Sequence, residues 1–594
     1  MAGHHAPSAS REETALKEFD LNLFRQLLRL LKPYWPWVAL AISLLLAGSF
    51  FSNYTPKVVQ RAIDGPIAHH DLSGLWAPVL LFLLLKSGSF LFTFLQVFTT
   101  AFVSTRVIRD LRLKLFAHIQ SLSMRYFSKN PVGRLMSRVV SDTDVLNELF
   151  SSGLITVFGD IFSLAFIVFF MFSLHVKLTL VCLAILPPVL LVSSLFKRNV
   201  REQFRKIRLK TADINTHLQE SITGMSVIQL FNQEKRDGER FNVHNKEYCG
   251  YFLKTIFYFS LFYPAMELLS SIGLCLVLWY GGLRYLDSGL TVGILVAFVE
   301  YMRTLFNPIR DLAEKYNVLQ NAMASSERVF QVLAEKPEIQ LPSYPVTPQD
   351  ESGRIEFSHV SFGYVPGKEV LSDVSFIVKP GETVAVVGAT GAGKSTLIHL
   401  LNRFYDPLSG HIKVDGVPLT QLSSAELRKR IGTVSQDLFI FSDTVAENIR
   451  LGEQRIQQEA MEEISGYINA DRFIRQQAAG YEEVLKERGT NLSTGQKQLL
   501  AFARVLAFSP AILVLDEATS SVDPQTEKLI QEAIAKLTRG RTCLIVAHRL
   551  STIRHAHRIL VMHHGRITES GTHDTLLQQD GIYSRLYQLQ FSGN

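Results

Sequence analysis

The chain is poor in cysteine: Cys182, Cys249, Cys275 and Cys543 are the only 4 among 594 residues, and they lack metal-ligand spacing. That excludes a disulfide scaffold or a cysteine-built metal site, and none of them reads as half of a disulfide. Met1 to Asp20 has no apolar core of signal-peptide type and carries Glu12, Glu13, Glu18 and Asp20, which argues against a cleaved secretory or organellar address. The soluble half lacks the clustered basic and aromatic residues of a nucleic-acid surface, so no nucleic-acid partner is expected.

Apolar residues are in excess. The chain is 47% hydrophobic with 40 Phe and a mean hydropathy of +0.15, above the usual range for a soluble enzyme. The excess lies before Phe306, in runs near the ~20 residues a helix needs to cross a bilayer. Crossings are expected near Trp35 to Tyr54, Leu75 to Phe98, Ile155 to Leu174, Leu178 to Phe196, Phe257 to Tyr280 and Thr291 to Phe306. The last is short by hydropathy and borrows polar residues from its flanks. Asp160 and Glu267 fall inside or beside crossings, where ionisable residues are functional by default. They could attract cationic compounds, or pair with Lys86.

Lys and Arg set the orientation, because positively charged loops stay in the cytosol. Arg106, Arg109, Arg112, Lys114, Arg125, Lys129, Arg134 and Arg138 lie between crossings two and three, and Lys197 to Lys254 is similarly basic between four and five. Both loops therefore face the cytosol, with the N-terminus and everything after crossing six, and topology accounts for the net charge of +7. Apolar residues in these loops recur at helical spacing, so the membrane helices are expected to continue well beyond the bilayer and to contact the soluble domain. Pro131 and Gly133 break the first loop, as a short transverse helix between two long ones requires.

The domain plan is a cytosolic segment at 1–34, a membrane domain at 35–335, a polar, Pro-rich linker at 336–352 and a soluble domain at 353–594. In the last, the apolar run Val384 to Val387 feeds Gly388-Ala389-Thr390-Gly391-Ala392-Gly393-Lys394-Ser395, and Thr396 continues into a helix. This is the strand-loop-helix setting of a phosphate-binding loop. Backbone N–H groups and the positive helix end cradle phosphate there. Lys394 should reach the terminal phosphates and Ser395 should hold Mg²⁺. Downstream, Leu492-Ser493-Thr494-Gly495-Gln496 precedes an apolar strand, Ile512 to Leu515, that ends in Asp516-Glu517. Asp516 is placed to bind Mg²⁺ through water.

In this order and spacing the three motifs resemble the nucleotide-binding domain of an ATP-binding-cassette protein, and the apolar half resembles an exporter's membrane domain. The resemblance implies a six-crossing α-helical exporter domain followed by an α/β P-loop NTPase, with ATP and Mg²⁺ as cofactors. It implies that Glu517 is the general base or positioner of the attacking water. Gln436 should touch Mg²⁺ and the water, and His548 the γ-phosphate. Tyr364 should stack on adenine. Ser521 to Asp523 resembles the loop that crosses to the partner, and Glu487-Arg488-Gly489 the segment that meets the coupling helices. Tyr126 to Arg138, with Asn130, Gly133 and Arg134, resembles the first coupling helix; Glu220 to Glu234, with Gly224, resembles the second, which in that family docks into the partner's ATPase. The residues ahead of the first crossing are too few for the protease domain some peptide exporters carry.

In this family Ser493 and Gly495 face the other subunit's nucleotide. The sequence has one glycine loop and one signature, so a second half-transporter is required to complete a site. Thr494 replaces the commoner glycine and spares the serine and the following glycine. Arg61-Ala-Ile-Asp64-Gly-Pro66 resembles the heterodimeric bacterial type, which favours a non-identical partner over an identical one. The expected function is ATP-driven export of a hydrophobic or amphipathic, multidrug-type compound across the bacterial inner membrane by alternating access. A lipid or lipid-linked-glycan flippase is the alternative, and a peptide exporter ranks behind it. Membrane lipid and a small amphipathic substrate are the other partners. The membrane runs exclude the soluble DNA-repair and translation ATPases that share the signature.

Overall fold

The computed structural model describes residues 20–286, 290–340, 342–348, 350, 352–516, 524–546 and 553–591. They separate into two compact units, Met1–Gln120 with Val132–Ala334, and Ser121–Pro131 with Glu335–Asn594.

The first unit is helical. α1 (Leu21–Leu30) starts at Asp20, whose carboxylate accepts from Asn22 N at 2.8 Å. α2 (Trp35–Ala62) and α3 (Trp76–Ser121) follow, and then, beyond a short α4 (Met124–Lys129) that belongs to the second unit, come α5 (Val132–Val139) and α6 (Ser141–Glu148). α7 (Leu154–Leu174), α8 (Val176–Leu183), α9 (Leu186–Thr223), α10 (Met225–Leu230), α11 (Glu234–Leu286) and α12 (Val292–Ala334) complete it. Among the described residues 5 helical stretches are long and apolar enough to cross a membrane: Lys32–Ile67, Trp76–Ser121, Val132–Leu174, Val176–Thr223 and Glu234–Leu286. The first five expected crossings fall on them. The sixth expected crossing lies in α12, which is 43 residues long and carries Glu300 and Arg303. With 46 residues in α3 and 53 in α11, the helices far exceed the ~20 residues a bilayer demands.

One crossing differs from its expectation. Leu178 to Phe196 reads as a single run, yet the helix breaks at Ala184 and Ile185 between α8 and α9. Pro187 and Pro188 open α9 and have no N–H to give to the preceding turn, so they suit a helix start better than an interior.

The buried face of α12 holds this unit together. Phe298, Tyr301, Met302 and Leu305 are at most 1% exposed and cluster with Ile167 and Met171 of α7, Leu178 and Cys182 of α8, and Met266 and Val277 of α11. At ~1.5–3 kcal/mol per buried side chain, this is the unit's largest described store of stabilisation. Tyr301 also donates from its hydroxyl to the carbonyl of Asn53 on α2 at 2.9 Å. Asp160 on α7 pairs with Lys315 on α12 at 2.5 Å, so its partner is not Lys86.

The second unit is built on two sheets. The strands are β1 (Ile355–Phe362), β2 (Leu371–Val378), β3 (Thr383–Gly388), β4 (Ser409–Val414), β5 (Val417–Pro418), β6 (Ile431–Val434), β7 (Ile512–Asp516), β8 (Thr542–Val546), β9 (Arg558–His563) and β10 (Arg566–Gly571). They form one sheet of order β2-β1-β4-β5 and another of order β10-β9-β3-β8-β7-β6. In the second sheet all neighbours are parallel except β9 and β10. Its central strands are buried on both faces, which explains their near-continuous apolar runs. Ala385, Val387, Leu513, Leu515, Cys543 and Ile545 enter one core, while the alternate residues Val384, Val386, Ile512, Val514, Leu544 and Val546 enter the other. Helices α13 (Lys394–Leu401), α14 (Ser424–Arg430), α15 (Val445–Arg450), α16 (Gln458–Tyr467), α17 (Asp471–Arg475), α18 (Thr494–Ala507) and α19 (Pro524–Thr538) belong to this unit.

Candidate nucleotide site and its transmission

Parallel strands deliver their carboxyl ends to one edge, where ligands of open α/β sheets bind. Val386 of β3 lies beside Val546 of β8, and Val546 beside Asp516 of β7; Leu515 pairs with Val434 of β6. Gly388, Asp516 and the segment that leads to Gln436 therefore reach the same edge.

The turn from β3 into α13 needs its glycines. Gly388 and Gly393 have φ of 156° and 101°, and an added Cβ would meet Met562 O at 2.3 Å and the Leu371 side chain at 2.6 Å. The loop N–H groups are thus held close to the backbone with no side chain in the way. Lys394 is buried and donates from Nζ to the carbonyls of Gly388 at 2.7 Å and Ala389 at 3.1 Å. Burial holds its ammonium below the usual lysine range, and the charge of Asp516 opposes that shift. Ser395 and Gln436 are exposed, and Asp516 is half-buried.

Tyr364 is fixed from two sides. Its hydroxyl lies 3.2 Å from Thr396 Oγ1 and 2.9 Å from Nδ1 of His399, both on α13. Its ring meets Phe362 and Tyr405 edge-on at 5.0 Å and 5.2 Å.

Ser493 is the N-cap of α18. Its hydroxyl accepts from Gln496 N at 3.2 Å, and the Gln496 side chain accepts from Ser493 N at 2.9 Å, a reciprocal capping box. Leu492 and Gly495 are buried, whereas Ser493 and Thr494 are exposed at the start of the 14-residue helix. Glu517, Ser521 to Asp523 and His548 lie outside the described residues.

Comparison with known proteins agrees with this architecture. Residues 38–309 match the family described as ABC transporter transmembrane region, and residues 371–520 match the family described as ABC transporter. An uncharacterized ABC transporter ATP-binding protein of Bacillus subtilis (strain 168), YknV, is 41% identical over 82% of this chain and 80% of its own length. The chain belongs to the ABC transporter family.

Two further relatives give the transporter its closer context. The ATP-dependent lipid A-core flippase of Syntrophus aciditrophicus (strain SB) is 35% identical over 100% of this chain and 98% of its own. A Staphylococcus aureus (strain NCTC 8325 / PS 47) protein, provisionally named as a multidrug export ATP-binding/permease protein, is 36% identical over 96% and 100%. A bacterial Atm1-family ABC exporter solved with ATP bound superposes with a TM-score of 0.75 at 27% identity, over 94% of this chain and 98% of that one. The transporter is an integral membrane protein that hydrolyses ATP.

The segments resembling coupling helices have distinct settings. The first is α4, and Asn130 ends it with its side-chain amide donating to Tyr126 O at 2.9 Å. Gly133 and Arg134 fall in α5 and are exposed. In the second, Gly224 joins α9 to α10, donating to Glu220 O at 2.8 Å. An added Cβ there would stand 3.0 Å from that same carbonyl. Leu230 and Phe231, at the end of α10, are 81% and 69% exposed.

Sequence reasoning missed two polar clamps of the ATPase unit. Arg430 of α14 and Asp415 are 3% and 0% exposed and pair at 2.7 Å. Arg430 also reaches Glu426 at 2.8 Å and the Asp350 carbonyl at 2.9 Å, while Asp415 accepts from the N–H groups of Gly353 and Arg354, both at 2.8 Å. The pair thus pins the end of the linker. In the second clamp, Arg504 of α18 donates to Asn448 O at 2.8 Å and to Phe439 O at 3.0 Å, and Asn448, fully buried on α15, donates to Phe441 O at 3.0 Å. The segment after Gln436 is thereby tied to the helix that Ser493 begins. An arginine three residues before the end of an apolar helix was the available signal.

Proposed function

We propose that the transporter exports a hydrophobic or amphipathic compound of multidrug type by alternating access in a dimer. The observation that supports it most is the division of labour in the soluble half: one phosphate loop and one signature helix, with Ser493 exposed at the helix N-cap rather than turned into its own domain. A second half-transporter completes each nucleotide site. The resemblance of Arg61 to Pro66 supports a non-identical partner.

In this reading the loop N–H groups and Lys394 hold the phosphates of ATP, and Tyr364 stacks on adenine. Ser395, Asp516 and Gln436 form an all-oxygen donor set suited to Mg²⁺, which when bound would offset negative charge on the phosphates. Glu517 orients or deprotonates the attacking water, and His548 contacts the γ-phosphate. Asp523 belongs to the loop that crosses to the partner. Closure of two ATPase units around two nucleotides moves α4 and α10, with Gly224 as the joint of the second. The soluble unit and the N-terminus lie in the cytosol of a bacterium and the crossings in its inner membrane.

The second reading is a lipid flippase, favoured by the full-length similarity to a lipid A-core flippase. ATPase stimulation in nanodiscs, with cationic dyes and lipids side by side, tests both. Greater stimulation by dyes supports multidrug export, greater stimulation by lipids supports the flippase, and stimulation by neither overturns both.

A further inference from the structure

Within the sixth crossing, α12 has two opposed faces. Phe298, Tyr301, Met302 and Leu305 are buried, whereas Val292, Val296, Glu300, Arg303 and Asn307 are exposed and recur every three or four residues, so they form one stripe. Among the described residues the side chains of Glu300 and Arg303 have no hydrogen-bond or ion-pair partner. At ~1.5 Å per residue they stand about 12 Å and about 16 Å along the helix from Val292, well inside a hydrocarbon layer ~30 Å thick. Ionised groups at that depth do not face lipid; they face a water-filled path or a charged partner. Asp160 of α7 pairs with Lys315, which lies about 18 Å further along α12 than Arg303 at ~1.5 Å per residue, so neither is a partner for this pair.

We infer that Glu300 and Arg303 line the translocation path and select an amphiphile whose headgroup is zwitterionic, an anionic oxyacid joined to an amine. This rests on the transport reading above and, within it, favours the lipid-type alternative over a purely cationic drug. Charge complementarity is the argument. The two side chains lie one helical turn apart on a single face, carboxylate towards Val292 and guanidinium below it. A guanidinium matches a phosphate in bidentate fashion, and the carboxylate is left for an ammonium at the neighbouring height. A purely cationic or purely anionic headgroup would satisfy one of the pair and leave the other charge desolvated and unmatched, which disfavours it. The apolar Val292 and Val296 on the same stripe provide no polar partner for either.

The test uses the full-length transporter with its partner in nanodiscs of an uncharged, sugar-headed lipid. Three short-chain amphiphiles sharing one tail are titrated as stimulators of ATP hydrolysis: a phosphoethanolamine, a phosphoglycerol and a quaternary ammonium. The zwitterion should stimulate at the lowest concentration. Glu300→Gln should weaken the zwitterion and the ammonium by about tenfold, the scale of one charge-assisted hydrogen bond, and spare the phosphoglycerol. Arg303→Gln should weaken the zwitterion and the phosphoglycerol and spare the ammonium, and Arg303→Lys should restore only part of the loss, since an ammonium keeps the charge but not the bidentate pair. An unchanged headgroup order in both glutamine variants, with stimulation intact, overturns this inference alone. Loss of the dimer in either variant, read by native mass measurement, also overturns it by assigning the charges to a second chain's helix. No stimulation of the wild type by any of the three removes the export reading itself.

Discussion

The guanidinium of Arg125 lies over the ring of Tyr405, 5.8 Å from its centroid, while its NH1 pairs with Glu338 at 3.0 Å. Tyr405 in turn meets Tyr364 edge-on at 5.2 Å, and Tyr364 reaches His399 of the phosphate-loop helix at 2.9 Å. A helix between two long membrane helices is therefore joined, through the Tyr405 ring, to the residue expected under adenine. Each such contact contributes on the order of 1 kcal/mol. Tyr405→Leu should raise the KM for ATP about three- to tenfold with a smaller change in kcat, since it loosens binding rather than chemistry. Steady-state kinetics in nanodiscs check this, and an unchanged KM would remove the aromatic chain from nucleotide binding.

His399 makes the same site sensitive to pH. Burial lowers its pKa below the ordinary 6.5, with Asp516 opposing. The neutral imidazole is thus the folded form, and its contribution is complete above pH 6.5 and is lost as pH falls from there through the lower folded value. In the tautomer with Nδ1 unprotonated, the Tyr364 hydroxyl donates to it and Thr396 Oγ1 donates to that hydroxyl; protonation of Nδ1 removes the acceptor. The KM for ATP should rise as pH drops below 6.5, and Tyr364→Phe should flatten that rise. Parallel profiles for wild type and variant would contradict the assignment.

The Arg430 and Asp415 clamp makes a third prediction. Removing one member of a buried ion pair leaves an uncompensated charge and costs ~3–5 kcal/mol. Arg430→Ala should speed hydrogen exchange at the N–H groups of Gly353 and Arg354, which Asp415 accepts, and should lower the temperature of thermal inactivation. Exchange at these amides equal to wild type would show that the linker is held by other contacts.

Glu517 follows Asp516 directly in the chain. Glu517→Gln should leave ATP binding intact and reduce hydrolysis strongly, by two orders of magnitude or more on the scale of general-base catalysis (~10²–10⁴). Binding of a fluorescent ATP analogue and phosphate release, measured on the same sample, separate the two effects.

How much of this was legible in the sequence depended on whether the signal was local. Val384 to Gly388 and Ile512 to Asp516 announce buried parallel strands because both faces are covered, and the strands form as read. The expected crossings were readable because ~20 apolar residues have few other uses, although Glu300 and Arg303 interrupt the apolar run of α12. The break at Ala184 and Ile185 was visible in Pro187 and Pro188 but outweighed by the apolar run. Asp160 and Lys315 were not legible as a pair, because 155 residues separate them and only the packing of α7 on α12 brings them together. Arg430 with Asp415, and Arg504 with Asn448, were hidden for the same reason: on the page they are ordinary charged and polar residues, and burial alone makes them clamps.

The central claim is that ATP is hydrolysed at a seam between two chains. The most direct measurement is the ATPase rate of nanodiscs sorted by single-molecule counting into those holding one chain and those holding two. Turnover is expected only in the two-chain discs, and Ser493→Arg on both chains should abolish it there. Full turnover in discs with a single chain would contradict it.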